Sequence, residues 1–129
     1  MSAAPGFRKY PQHRVETPPS SAQGRVTYQG EVIADTREAV EMHESAGEGK
    51  KTVAPVVYYI PRKDVRMDRL VRSSHSTHCP FKGDASYFSV AGGPDNAVWS
   101  YVEPYPAVDG IAGHLAFYPD RVDSIEVVK

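Results

Sequence analysis

Ser86-Tyr87-Phe88-Ser89-Val90-Ala91, then Gly92-Gly93-Pro94-Asp95-Asn96, then Ala97-Val98-Trp99-Ser100-Tyr101: these sixteen positions decide the fold class. Two aromatic and β-branched runs, which suit a pleated and half-buried backbone, flank a cluster of residues that supply turns, so the stretch predicts a strand, a turn and a strand. The same grammar extends outward. Arg25-Val26-Thr27-Tyr28 and Glu31-Val32-Ile33-Ala34 flank Gln29-Gly30, a hairpin in which glycine supplies positive φ. Val53 to Ile60 is apolar on both faces and stopped by Pro61, which predicts a buried central strand. His114-Leu115-Ala116-Phe117-Tyr118 and Ser124-Ile125-Glu126-Val127-Val128 read as two last strands around Pro119-Asp120. Asp35 to Met42 offers cap-type residues and a few helix formers, too few for a full helix, and Ser45 to Lys51 reads as an exposed loop. Val102 to Gly113, with Pro104 and Pro106, reads as an irregular connection. About seven or eight short strands, with turns roughly every 8–12 residues, predict an all-β, mainly antiparallel sandwich or barrel.

Composition narrows the function classes. At 129 residues the chain is the size of one domain. Met1 to Gln23, with four prolines, reads as an extended or disordered N-terminal tail, and residues 24–129 as a single domain. Fifteen basic residues against sixteen acidic ones give a net charge of −1, without the field that announces a nucleic-acid or membrane-surface partner. One cysteine forms no internal disulfide, and no apolar run is long enough to span a bilayer. A cytoplasmic protein with a small-molecule ligand is the expectation, with neither nucleic acid nor membrane as partner; a homodimer is left open.

The candidate site is Val65 to Tyr87. It gathers His75, His78, Cys79, Lys82, Gly83 and three arginines with no sustained period of 2 or 3.6, so packing alone does not explain its composition.

Here the residues carry a resemblance. Gly30-Glu31-Val32-Ile33-Ala34, Tyr58-Tyr59-Ile60-Pro61, Asp64-Val65-Arg66-Met67-Asp68, Thr77-His78-Cys79-Pro80-Phe81-Lys82-Gly83-Asp84-Ala85-Ser86-Tyr87, Ala97-Val98-Trp99-Ser100-Tyr101 and Ile111 to Tyr118 resemble a bacterial and fungal family. It is the domain-of-unknown-function family numbered four hundred and twenty-seven, also labelled nucleotidyltransferase-like, and the resemblance spans about Arg25 to Ser124. Metal-dependent nucleotidyl transfer needs carboxylates clustered on Mg²⁺, and Asp64 and Asp68 flanking Arg66 make no such cluster. The resemblance implies the β-tent class: two antiparallel sheets pinned at one end, as in methionine sulfoxide reductase B, formaldehyde-activating-enzyme-like proteins and the ligand-binding domain of cereblon. Many of those hold zinc on four cysteines, which a chain with one cysteine cannot do. No cofactor is expected; a pocket between the sheets is.

Residue types then suggest roles. His78 and Cys79 are the candidate catalytic pair, a thiol and a group able to stabilise its thiolate. Arg66, with Asp68 beside it, and Lys82 with the backbone of Gly83 would hold an anion. Trp99 and Tyr101 share a strand face and would wall the pocket, joined by Tyr87, His75 and His114. Three readings stay open: a thiol- or acid/base-dependent transferase or hydrolase, a module that binds a nucleoside-like or peptide ligand without turnover, and a metal site built from His75, His78, Cys79 or His114.

Overall fold

The computed structural model describes residues 13–45 and 55–128, together with Gly6 and Lys9. Among these residues the chain runs through ten strands: β1 (Arg14–Glu16), β2 (Gln23–Tyr28), β3 (Glu31–Thr36), β4 (Val40–Ser45), β5 (Val57–Tyr59), β6 (Leu70–Cys79), β7 (Gly83–Val90), β8 (Val98–Ser100), β9 (Leu115–Phe117) and β10 (Ser124–Val128). Among the described residues, short 3₁₀ turns are the only helical elements between the strands, the longest at Pro106–Ile111. No helix among the described residues is long and apolar enough to cross a membrane.

All named strand pairs are antiparallel, and they form three sheets in the orders β1-β4-β5, β10-β2-β3 and β6-β7-β8-β9. The expected all-β architecture is therefore observed, with three sheets where two were expected. The division is narrow at one point. Ile60, just past β5, exchanges both backbone hydrogen bonds with Leu115 at 2.8 Å, so the first and third sheets meet at a single bridge. Pro61 follows and cannot donate, which stops the pairing there.

Alternation along the strands sends side chains to both faces of the four-stranded sheet. Phe88, Val98 and Phe117 lie in one cross-strand row and pack with Val26, Ile33 and Ala34 of β2 and β3. The next row, Tyr87, Trp99 and Ala116, faces the other way, into a second core with Met42, Tyr59, Tyr101, Val108 and Ile111. β7, β8 and β9 are thus covered on both sides. β6 extends past that cover: from Ser74 to His78 every residue is exposed.

Three local readings differ from the structure. Asp35 to Met42 is not a helical turn: Thr36 ends β3, Val40 begins β4, and Val40 and Met42 pair with Tyr59 and Val57. Cross-strand pairing and burial of Met42 outweigh a weak helical preference. Val53 to Ile60 is not a long central strand; β5 has three residues at a sheet edge, and positions 53 and 54 lie outside the described residues. Within the stretch read as a tail, Arg14–Glu16 pairs with β4, and Ser20 and Ala22 are buried. Met1 to Pro5 and the 46–51 part of the expected loop lie outside the described residues.

Candidate functional site

The stretch from Val65 to Tyr87 has no clean period because it is a bulged edge strand and a tight turn. Arg72 pairs with Phe88 and Ser76 with Ser86, so four steps on β6 oppose two on β7, and Ser73 to His75 form the bulge. Beyond it the ladder is regular: Thr77 opposes Ala85 and Cys79 opposes Gly83. Thr77 and Cys79 therefore share the face of Ala85 and Tyr87, whereas His78 opposes Asp84 on the reverse face. His78 Nδ1 lies 2.6 Å from Asp84 Oδ1 in an exposed pair.

On the inner face, Thr77 Oγ1 and Tyr87 Oη are hydrogen-bonded at 2.9 Å, and the His75 ring lies 4.5 Å from that of Tyr87. The row continues across the sheet. The Trp99 ring sits 4.5 Å from Tyr118, and its Nε1–H donates to Tyr59 Oη at 3.1 Å. Tyr101 is buried beside Tyr59. Burial raises the pKa of Tyr59, Tyr101 and Tyr118 above the ordinary phenol value; for Tyr118 the hydrogen bond with Tyr87 adds to it. These hydroxyls are neutral donors at physiological pH.

One end of this face carries the charged cluster. Val40 and Met42 point inward, so alternation brings Glu44 of β4 to the same side. Lys82 Nζ donates to Glu44 Oε1 at 2.9 Å, and His13 Nε2 lies 2.8 Å from Glu44 Oε2. All three side chains are only 14–16 % exposed, unlike the ion pairs elsewhere on the surface. Burial pushes the Glu44 carboxyl up, but the hydrogen bond and charge of Lys82, followed by those of His13, outweigh it and hold the group below its ordinary value. The turn that carries Lys82 is itself clamped. His13 stacks on Phe81 at 3.9 Å, Gly6 N–H donates to Pro80 O at 2.8 Å, and Tyr105 N–H donates to Lys82 O at 2.9 Å. Gly83 has φ of +116°, and a Cβ there would lie 3.4 Å from Pro104 Cα. This glycine is needed for turn conformation and close backbone approach.

The structure brings together part of the expected site. His75, Cys79, Lys82, Gly83, Tyr87, Trp99 and Tyr101 belong to one face and its end turn. Arg66 and Asp68 do not join them. They precede β6, which lies along the seven steps of β7 from Val90 to Gly83, so at about 3.3 Å a step more than about 20 Å separates them from Cys79. There Arg66 Nη1 donates to Glu31 and Nη2 to Asp68, each at 3.0 Å, in a surface cluster. His78 is turned away from Cys79 by strand alternation. His114 stands outside the group, its Nδ1–H donating to Ala112 O at 3.0 Å. Among the described residues no three His, Cys, Asp or Glu side chains converge as a metal-ligand set. His13, Glu44 and Tyr118 were not singled out from sequence; the alternation Val40, Met42, Glu44 was the available signal for the carboxylate.

No curated protein matches the chain. The family model described as "Domain of unknown function (DUF427)" matches residues 16–128, from the last residue of β1 to the end of β10. The match covers most of the chain, all four strands of the central sheet and the turn that carries Lys82, and the chain belongs to the DUF427 family.

Proposed function

We propose that the protein binds a small, planar, largely neutral molecule, of nucleoside-like chemistry, at the exposed β6 edge of the inner face of the four-stranded sheet. The observation that carries this reading is the Thr77–Tyr87 hydroxyl pair beside the His75 ring, on the uncovered edge of a sheet whose next position is Trp99, with the Tyr118 ring 4.5 Å from it. Flat rings and neutral hydroxyl donors in one row suit a planar ligand with donors and acceptors at its rim. The charge balance favours a neutral ligand over an anion: Lys82, the one lysine at this face among the described residues, is already matched by Glu44. Calorimetric titration with adenosine, guanosine, cytidine and their monophosphates tests it. Thr77→Val and Tyr87→Phe each remove one hydroxyl and should weaken nucleoside binding about tenfold, the effect of roughly one hydrogen bond. Absence of binding by every nucleoside, or binding indifferent to both substitutions, would reject the proposal.

Partial exposure of Cys79, on the same face as Thr77 and two residues from it, favours thiol-dependent turnover as a second reading. In that case Cys79→Ser retains ligand affinity and loses turnover. His78, on the reverse face, is not the base in this version.

A further inference from the structure

Away from the Thr77–Tyr87 face, a cavity of about 370 Å³ lies between β2 and β10 on one side and β5 and β9 on the other. Its walls are apolar, with Val26, Val57, Phe117, Ile125 and Val127 around the edge of Trp99. Sequence explains the gap. Pro55 and Pro119 border it and cannot donate ladder hydrogen bonds, so the strands they flank do not close on β2 and β10. Gly24 and Ala39, also on its lining, contribute almost no side-chain volume. The pocket is partly open to solvent, and water gains little from an apolar lining with few free polar partners. The Trp99 Nε1–H is taken by Tyr59, and Arg25 Nη2 donates to Asp35 Oδ2 at 3.1 Å.

We infer that this cavity is a second ligand site, which takes an apolar group of about a dozen non-hydrogen atoms, an aromatic ring or a short alkyl chain. It differs from the proposed polar site in chemistry and in the residues that form it; Trp99 alone belongs to both. The cavity is at the small end of the usual range of about 300–1,000 Å³, which excludes long acyl chains and favours single rings and chains of about eight carbons. Trp99 is the only tryptophan, so its emission reports occupancy directly.

The test uses the full chain titrated with 1-octanol, toluene and cyclohexanol, following Trp99 emission and melting temperature. At least one probe should shift the emission and raise the melting temperature, as any ligand selective for the folded state must. Ala39→Leu and Ile125→Phe, which fill the cavity from opposite walls, should each weaken that probe at least tenfold, and the one that folds better decides. Thr77→Val should leave it unchanged, which separates this site from the polar one. No response to any probe up to its solubility limit, or equal binding by wild type and the filled variants, would overturn the inference.

Discussion

Replacing Glu44 with glutamine keeps the shape of the side chain and removes its charge, at the point where β4, the β6–β7 turn and the segment before β1 meet. The carboxylate makes two charge-assisted bonds, at 2.8 and 2.9 Å, with all three side chains largely out of solvent. Hydrogen bonds to charged groups contribute about 1.5–3 kcal/mol and neutral ones about half of that. The substitution should therefore cost about 1 kcal/mol per bond, about 2 kcal/mol in all. With a urea m-value of about 1–3 kcal/mol/M, the unfolding midpoint at pH 7 should fall by about 1 M, read from Trp99 emission. The pH dependence follows from the sign of the shift. The folded-state pKa of Glu44 lies below its unfolded value, so the stabilisation is fully present above about pH 4.3 and is lost as pH falls through the lower folded value. Wild type and Glu44→Gln should accordingly converge on acidification. A difference under about 0.5 kcal/mol at pH 7, or one that persists unchanged in acid, would refute the reasoning and make the cluster a surface ornament like the Arg66 pairs.

Other substitutions separate neighbouring roles. Gly83→Ala forces a side chain into a positive-φ turn against Pro104 and should destabilise by about 1–3 kcal/mol in denaturant unfolding, whereas Gly30→Ala, with open space around it, should cost less. Tyr59→Phe leaves the Trp99 N–H without its acceptor and should cost about 1–2 kcal/mol, with a change in Trp99 emission in the folded state. His78→Ala removes an exposed pair with Asp84 and an edge contact with the Tyr105 ring, and should alter stability by less than about 1 kcal/mol; a tenfold loss of ligand binding by this variant would contradict its placement on the reverse face.

Local chemistry was legible where turn residues dictate geometry. Gln29 and Gly30 adopt φ of 49° and 77°, the pair of positive angles a two-residue hairpin turn needs, and neighbouring side chains suffice to predict it. Trp99 and Tyr101, read as sharing a strand face, pack in the same core, although β8 ends at Ser100 and Tyr101 lies just past it. β4 was illegible because its residues favour a strand only when Tyr59 and Val57 pair with them across a long connection. Glu44 escaped for a related reason: its partners His13 and Lys82 are 31 and 38 positions away. Grouping Arg66 with Lys82 failed on length, as a ten-residue extended strand separates them; read as a loop, the same stretch could have folded back.

Chemical-shift mapping of the isotope-labelled protein titrated with adenosine addresses the polar face most directly. Perturbations concentrated at His75, Thr77, Tyr87, Trp99 and Tyr118, saturating together with one affinity, are the expected result. Shifts confined to Glu31, Arg66 and Asp68, the surface cluster before β6, or none at saturating nucleoside, would contradict a binding site on the inner face.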